Sequence, residues 1–559
     1  MTLGAELQQP AIPNSAPMPD PSKAAPPVVR PLMALWLLAA AAIVIGVFFR
    51  FYHVDQKPIW DDEVITWMHF LGVSEQEVVG AAPNFRHVSD LREALHPTTS
   101  RRPVSDVVTV MLAEDPQHPP IYYVIAHGWV WLFGDSVRAV RTLSAVIGLL
   151  EIPCMYWLCI ELFESSATGL IGAALIALTP IDVLYSQEAR EYSLWLVCIL
   201  VISTLFIRAL RLTSLREWGL YCLGLTFSLY VFPLTAFVAG AHVIVGLCAQ
   251  TSTRNRLNSI AAITIAFILF APWLLVILAH ASEINASMYN LFNDEPFKFR
   301  TLIGIVRLSR LDNLDFNGGK QLSILLATIP AVLFLVYAIY EVRRMKVQAR
   351  IFVWALLACS ALPLIGLDFF LGGHRVDVAR YFTPTFLGFD LALVGLFSWK
   401  LSDTSQSVRL VSWQAAFGLV IAARIASCAQ SAMSPTWWNS YNMQSRQVAA
   451  QVSARPHPLI ISDDYILWTL VLAEYLNPSF DVALNPRCYQ CKLARTDSVA
   501  DLVPEHSTGS RTVVLVAPSK QLLTTVRAAM TADGVAADLE CVDVRGSCPG
   551  GFPLWASGY

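Results

Sequence analysis

The sequence predicts an α-helical membrane protein that carries a small α/β domain after its last membrane span. Of its 559 residues, 55% are hydrophobic and only 14% are charged, whereas soluble domains carry roughly 25% charged residues. The mean hydropathy is +0.52, and apolar runs of about 20 residues, the length of a membrane-spanning helix, recur along residues 32–430. The net charge of −3 argues against a nucleic-acid partner, which would require a basic stripe.

The N-terminal segment, residues 1–31, is rich in Pro, Ala and Ser and has no apolar core. This composition predicts a disordered tail rather than a cleaved signal peptide. The membrane domain is predicted over residues 32–430, with the C-terminal domain over 431–559.

Eleven membrane spans are predicted in total. Nine are continuous apolar runs, at 32–50, 140–162, 167–186, 191–208, 258–280, 321–341, 350–371, 381–399 and 408–426. The apolar stretch 217–249 is interrupted around Pro233 and predicts two short spans that meet in a hairpin. The segment 119–134 is short and rich in Tyr and Trp, so we expect it to lie in the membrane interface.

The distribution of basic residues orients the spans. With a cytoplasmic N-terminus, the short cytoplasmic loops hold most of the arginines and lysines, as the positive-inside rule requires. An odd number of spans then places the C-terminal domain outside. Two long outer loops are predicted, at 51–137 and 281–320. The Ala-rich composition and the cysteines of the outer domain fit a bacterial inner membrane.

The C-terminal region has the character of a soluble domain. "HPLIISDDYILWTLVLAEYL" reads as a strand and then a helix, and "RTVVLVAPSKQLLTTVRAAMTADG" repeats that order. Its four cysteines are Cys488, Cys491, Cys541 and Cys548. In an oxidising compartment they predict two disulfides, most simply 488–491 and 541–548, and a zinc site of four thiolates is the alternative.

Four polar clusters meet the outer face in this topology. They are the acids Asp61, Asp62 and Glu63 and the segments 114–123, 185–192 and 372–382. Arginine offers a planar fork that matches phosphate oxygens, and a carboxylate can accept a proton from an attacking hydroxyl or hold a metal. A carboxylate cluster that faces several arginines is therefore suited to chemistry on a membrane-anchored phosphate.

Each cluster also has a purely structural explanation. The three acids could be a solvated loop, Glu188 and Arg190 a local ion pair, and His118 a turn residue before two prolines. Arg375 and Arg380 could anchor lipid headgroups.

At these residues the sequence resembles the polytopic glycosyltransferases of the GT-C fold, in particular glycosyltransferase family 39 and the protein-mannosyltransferase-like group. The resemblance covers roughly residues 32–400. The matching motifs are W-x-D-E (Trp60, Asp62, Glu63), H-P-P-x-Y-Y (His118 to Tyr123), R-x-x-S-x-x-x-G (Arg141, Ser144, Gly148), Y-S-Q-E-A-R-x-Y-S (Tyr185 to Ser193) and R-Y-F-x-P (Arg380 to Pro384). Asp61 is an extra acid where the family usually has a hydrophobic or aromatic residue.

The resemblance implies an enzyme that moves a sugar from a polyprenyl-phosphate-linked donor to a hydroxyl acceptor on the outer face, with inversion. Asp62 is then the general base, and Glu63 supports it or helps to hold a metal. The resemblance implies that the donor phosphate and sugar are bound by Arg190, Glu188, Gln187, Arg380, Tyr381, His118 and Tyr123. The acceptor is a lipid, a glycan or a protein, and membrane lipids surround the domain.

A divalent metal ion is a further expectation that the sequence leaves open. Its candidate ligands are Asp62, Glu63 and His118, although no His/Asp cluster has firm ligand spacing.

Two other functions are compatible with a polytopic membrane protein. A transporter or flippase of a lipid-linked substrate would need ionisable residues inside its spans, and the candidates are few: Glu151, Asp182, His242, Asp368 and Asp390. An outer-face assembly protein without activity is the other alternative, against which the intact motifs argue.

Overall fold

The computed structural model describes residues 29–96, 102–249, 251–287, 298–311, 321–402, 407–435, 445–489, 512–532 and 540–542. Most of the predicted N-terminal tail and parts of the second long loop lie outside these residues. The first helix begins at Val29, slightly before the predicted start of the first span.

Helices dominate the described chain. Those of the first half are α1 (Val29–Phe51), α2 (Asp61–Leu71), α3 (Glu75–Ala81), α4 (Val88–Leu95), α5 (Val104–Glu114), α6 (Ile121–Phe133), α7 (Val137–Leu149), α8 (Glu151–Phe163), α9 (Ser166–Ala177), α10 (Pro180–Tyr185), α11 (Tyr192–Leu212), α12 (Leu215–Val231), α13 (Thr235–Cys248) and α14 (Thr253–Ala279). Those of the second half are α15 (Ala281–Ser287), α16 (Lys298–Leu311), α17 (Gln321–Glu341), α18 (Val347–Leu371), α19 (Thr383–Ser402), α20 (Ser407–Met433), α21 (Ser445–Ser453), α22 (Ile466–Ala473) and α23 (Lys520–Ala532).

The predicted spans all fold as helices, which confirms the α-helical membrane architecture. By length and composition, six helical segments of the described chain could cross a membrane. They are Val137–Phe163, which comprises α7 and α8, Tyr192–Leu212, Thr253–Ala279, Val347–Leu371, Ala379–Ser402 and Val408–Met433. The break around Pro233 is confirmed, since α12 ends at Val231 and α13 begins at Thr235. The predicted span 167–186 is instead two helices, because Pro180 occupies the first turn of α10.

The first long loop folds into helices α2 to α6. Glycine at position 72 ends α2 in the left-handed region, with φ of 71°, and turns the chain toward α3. Helix α6 covers most of the predicted interfacial segment and buries Tyr122 and Tyr123 while Trp131 and Phe133 are exposed. At 13 residues it is shorter than a membrane crossing needs. Its position in the interface stays a prediction.

The C-terminal region contains the predicted strand-and-helix repeat. Its strands β1 (Pro458–Ser462), β2 (Asp481–Leu484), β3 (Thr512–Val516) and β4 (Glu540–Val542) form a parallel sheet in the order β2-β1-β3-β4. In this sheet Ile460 lies opposite Val482 on one side and Val514 on the other. Buried apolar strands of this kind are typical of parallel sheets that helices cover. The small α/β domain is therefore confirmed.

The cysteine prediction is only partly within the described residues. Cys488 is disulfide-bonded. Cys491, Cys548 and the side chain of Cys541 lie outside the described residues, so the pairing stays a prediction. The seven cysteines of the membrane part are free thiols: Cys154, Cys159, Cys198, Cys222, Cys248, Cys359 and Cys428.

The C-terminal domain docks onto the first long loop. Arg92 of α4 donates hydrogen bonds to the carbonyl oxygens of Ala473, Glu474 and Leu476 at 2.8–3.0 Å. The Ile59 amide, just before α2, donates to the Tyr475 hydroxyl at 2.8 Å. These contacts fix the domain against the segment that carries the three acids.

Candidate active site

The three acids form the first turn of α2. Trp60 is the N-terminal cap in an extended conformation, and its side chain makes no capping hydrogen bond. Acidic side chains in a first turn are stabilised by the positive end of the helix dipole, typically by 0.3–1 kcal/mol each. The turn therefore has a structural reason to be acidic. Because side chains of successive helical residues point about 100° apart, the three carboxylates enter different surroundings.

The Asp62 carboxylate faces Arg380. Its Oδ2 lies 3.4 Å from Nη2 of that arginine, and the two side chains are 24% and 21% exposed. The Arg380 guanidinium also lies 5.8 Å from the ring centroids of Trp60, Tyr192 and Tyr381. Three aromatic rings therefore lie near this acid–cation pair, and both charged side chains are partly accessible to a ligand.

The Glu63 carboxylate forms a bidentate ion pair with Arg141 of α7. Both side chains are fully buried, and the guanidinium donates to Oε1 at 2.8 Å and to Oε2 at 2.6 Å. The Ala189 amide donates a further hydrogen bond to Oε1 at 2.9 Å. Arg141 also binds the carbonyl oxygens of Val54, Lys57 and Pro58. The structure therefore places Glu63 in a buried pair that shapes the loop before α2.

The Asp61 carboxyl is the least stabilised of the three. Its Oδ1 is buried and has no hydrogen-bond partner among the described residues. Burial raises the pKa of Asp61 from 3.8 to about 7, and the neighbouring Asp62 adds to this rise. Asp61 is therefore the acid of this turn whose charge changes near neutral pH.

Arg190 lies behind Asp62 and is only 3% exposed. Its Nη1 donates to the Asp62 carbonyl oxygen at 3.2 Å and to the Thr66 hydroxyl at 2.7 Å. Its Nη2 lies 3.2 Å from the Tyr192 hydroxyl and 3.4 Å from the Glu191 carboxylate. These contacts tie the start of α2 to the segment 185–192, as the convergence of the polar clusters predicts.

His118 connects two buried acids. Its Nδ1 lies 2.9 Å from Asp115 and its Nε2 lies 3.5 Å from Glu191 and 3.3 Å from Arg190. Burial lowers the pKa of His118, but Asp115 and Glu191 outweigh it, and the net pKa is raised. On the other side of Asp115, burial lowers the pKa of His69 to about 4, which keeps that ring neutral.

The other predicted binding residues divide into a structural and a site-facing set. The Gln187 amide donates to the carbonyl oxygens of Phe49 and Tyr52, so it anchors the end of α1. Glu188 is buried, and its charge acts on Arg141. Tyr123 is buried, and within the described chain its hydroxyl has no hydrogen-bond partner. Tyr381 is partly exposed beside Arg380.

The predicted metal ligands do not come together. Asp62 faces Arg380, Glu63 binds Arg141, and His118 lies between Asp115 and Glu191. Over the residues that the structure describes, no group of three or more His, Cys, Asp or Glu side chains is arranged to hold a metal ion. These three residues therefore do not fit a shared metal site.

Sequence reasoning missed several residues of this region. Arg141 was a motif match without a role, and Asp115 and Glu191 were only members of polar clusters. Tyr489 of the C-terminal domain belongs to no sequence motif, and its amide donates to Glu75 at 2.7 Å. Burial raises the pKa of Tyr489, and Asp62, Asp61 and Asp115 contribute to the rise, so this tyrosine faces the acids. The only sequence signal was the EAREY segment, whose second glutamate is Glu191.

Residues 117–276 match the family described as dolichyl-phosphate-mannose-protein mannosyltransferase. This segment holds the H-P-P and Q-E-A-R motifs, with Arg190 and its neighbours His118 and Glu191. Over this segment the chain matches the protein-mannosyltransferase-like glycosyltransferases. This match confirms the resemblance to GT-C glycosyltransferases that the sequence motifs indicate. A comparison with curated proteins found no match.

Three solved structures resemble this chain at low sequence identity. The oligosaccharyltransferase of Archaeoglobus fulgidus, in complex with Zn and sulfate, has a TM-score of 0.47 and 13% identity. That likeness covers 79% of this chain but 62% of the oligosaccharyltransferase, so this chain spans less than two thirds of that protein.

The other two structures are of ArnT from Cupriavidus metallidurans. ArnT bound to undecaprenyl phosphate has a TM-score of 0.45 and 11% identity over 79% of this chain and 85% of ArnT. Apo ArnT has a TM-score of 0.43 and 13% identity over 81% of this chain and 86% of ArnT.

Proposed function

We propose that this glycosyltransferase moves a sugar from a polyprenyl-phosphate-linked donor to a hydroxyl acceptor, with inversion, at the outer face of the membrane. The observation that carries the proposal is the partly exposed pair of Asp62 and Arg380, 3.4 Å apart. The pair unites a proton acceptor with a cation for a phosphate in one opening. The matched family is named for a dolichyl-phosphate-linked sugar donor, which supports a donor of this chemical class.

The proposed reaction is a single displacement. The acceptor hydroxyl oxygen forms a bond to the anomeric carbon while the bond from that carbon to the phosphate oxygen breaks. Asp62 takes the hydroxyl proton, and the polyprenyl phosphate leaves with the bonding electron pair. General-base assistance contributes roughly 10²–10⁴-fold, and the cation of Arg380 stabilises the charge that develops on the leaving phosphate.

The buried residues have positioning roles in this proposal. Glu63 and Arg141 hold the loop before α2, and Arg190 holds the Asp62 main chain. Arg380 is more exposed than Arg190, so we assign the first contact with the donor phosphate to Arg380. We assign a role beside the donor to Tyr381, which lies next to Arg380, whereas His118 contacts Arg190.

A bacterial inner membrane with the C-terminal domain outside fits the disulfide at Cys488, because disulfides persist in oxidising compartments. The acceptor would be a hydroxyl of a lipid, a glycan or a protein of the cell envelope, and the donor sugar a hexose or a pentose.

The transporter alternative is weakened by the surroundings of the intramembrane ionisable residues. Glu151 pairs with Arg50, and Asp390 pairs with Arg424. Both pairs are buried, and pairs of this kind hold helices together at fixed positions. His242 contacts the Tyr221 hydroxyl at 2.9 Å inside the bundle.

The proposal can be tested with the purified full chain in proteoliposomes. Labelled hexosyl and pentosyl polyprenyl phosphates would be incorporated with membrane extracts that contain lipid, glycan and protein acceptors. Label that moves onto an acceptor supports the proposal and identifies the donor sugar. Label that crosses the bilayer on intact donor would overturn it in favour of transport.

A further inference from the structure

A cavity lies away from the pair of Asp62 and Arg380. It has a volume of about 540 Å³ and opens between the loop after α1 and the end of α20. Ligand sites of proteins typically enclose about 300–1,000 Å³. Its lining includes Lys57, Arg138 and Arg446 but neither of the two residues proposed to carry out transfer.

The charge of the lining side chains is mostly positive. The three basic residues come from the first loop, the start of α7 and the start of α21, and the acid among the lining residues is Asp55. Arg138 binds the Asp55 carboxylate at 2.9 Å, and the Arg446 guanidinium lies 5.2 Å from the centroid of the Tyr475 ring. Cations from three separate segments thus surround one opening.

Lys57 is buried, so the cations that line this opening are not all surface residues. The side chain is only 4% exposed, and its ammonium lies 3.5 Å from the Gln187 amide oxygen. Ammonium and guanidinium groups bind phosphate oxygens by charge-assisted hydrogen bonds, so a phosphate in the cavity would meet cations from three segments of the chain.

The position of the cavity points to the kind of anion. Helices α1 and α20 are both apolar, and the cavity is lined by His53, two residues after α1, and by Met433 at the end of α20. Met433 is 72% exposed, as expected for a residue in contact with acyl chains. With both helices crossing the membrane, the charged lining would lie level with the headgroups of one leaflet.

We propose that this cavity binds the headgroup phosphate of an anionic phospholipid. Lys57, Arg138 and Arg446 would hold the phosphate while the acyl chains extend along α1 and α20. Since the Gln187 amide group contacts both Lys57 and the end of α1, the bound lipid would brace the segment 185–192 from the side opposite the transfer site.

The test compares lipid binding by the full chain and by an R138Q/R446Q variant. Both arginines lie at the surface, where a single ion pair contributes little to stability, so the variant should fold. The matched control is R254Q, an exposed arginine at the start of α14. Native mass spectrometry in detergent would measure the apparent Kd for phosphatidylglycerol and for phosphatidylcholine, with inorganic phosphate as a competitor.

We expect phosphatidylglycerol to bind roughly tenfold more weakly to R138Q/R446Q than to the wild type or to R254Q. Phosphatidylcholine should bind all three proteins alike and weakly. Equal binding of phosphatidylglycerol by the wild type and the double variant would overturn the proposal. Displacement of the lipid by submillimolar inorganic phosphate would assign the cavity to free phosphate and would overturn the assignment to a phospholipid.

Discussion

The carboxylate of Asp62 and the guanidinium of Arg380 lie 3.4 Å apart, although one follows the first helix of the chain and the other precedes α19. Each stays about one quarter to one fifth exposed, at 24% and 21%. The neighbouring charges Glu63 and Arg190 are instead buried in contacts with protein groups. The opening between Asp62 and Arg380 is thus where a substrate would meet both an acid and a cation.

Replacement of Arg380 should impair use of the donor. The Arg380→Gln variant retains a polar side chain but loses the charge that would contact the phosphate, so we expect kcat/KM for the donor to fall roughly 10²-fold. Sugar transfer at varied donor concentration measures this. Arg343→Gln, at an exposed arginine far from the site, is the control. Equal kcat/KM for both variants would refute the role of Arg380.

Replacement of Glu63 should act on stability first. Glu63→Gln leaves the buried Arg141 cation without its bidentate partner, and breaking a buried ion pair in this way costs roughly 3–5 kcal/mol. Thermal unfolding in detergent should therefore show a clearly lowered Tm, whereas Asp62→Asn, at a partly exposed position, should retain a Tm near that of the wild type. A Glu63→Gln protein with an unchanged Tm and no transfer would instead make Glu63 catalytic.

Much of the fold could be predicted because local patterns carry it. Pro233 separates two helices, and the repeated strand-and-helix order of the C-terminal region produces the parallel sheet. The convergence of distant polar clusters followed from placing them on one side of the membrane. The partner of Glu63 could not be predicted, because only the tertiary fold brings Arg141 of α7 to it. The docking of the C-terminal domain could not be predicted either. Arg92 binds main-chain carbonyl oxygens, and because every residue has one, this contact leaves no pattern in the sequence.

Asp61 should make stability depend on pH. Its pKa rises from 3.8 to about 7 on folding, so between these values the unfolded chain ionises while the folded chain keeps the proton. The folded state therefore loses stability as pH rises from 3.8 to about 7, and above about 7 the loss is complete. Asp61→Asn removes this pH-dependent loss in the free energy of unfolding, which amounts to at most a few kcal/mol. The Tm of the variant relative to the wild type should rise between pH 5 and pH 8. A constant difference in Tm over this pH range would contradict the assigned pKa.

His96 should hold the C-terminal domain against the loop at neutral pH. Its Nδ1 lies 2.8 Å from Asp135 and its Nε2 lies 3.1 Å from Glu474. Burial lowers the pKa of His96, but hydrogen bonds to these two acids outweigh it and raise the pKa from 6.5 to about 9. The contribution to docking is complete below about pH 6.5 and is lost as pH rises through about 9.

Hydrogen exchange of α4 and α22 measures this contribution. In the wild type, protection of both helices should fall between pH 7 and pH 10 after correction for the intrinsic exchange rate. His96→Gln should be less protected already at pH 7 and should change little with pH. Glu93→Gln, an exposed acid on the same helix, should behave like the wild type. Equal protection of His96→Gln and the wild type at pH 7 would remove His96 from the docking contact.

The most direct measurement is sugar transfer by Asp62→Asn beside Asp61→Asn. Purified variants in proteoliposomes would receive labelled polyprenyl-phosphate sugar and acceptor, with Tm recorded for each protein. The proposed mechanism predicts that Asp62→Asn loses transfer by at least about 10²-fold at an unchanged Tm, because an amide cannot accept the acceptor's proton. Asp61→Asn should keep most of its activity. Near-normal turnover by Asp62→Asn, or loss of transfer in Asp61→Asn alone, would contradict Asp62 as the base.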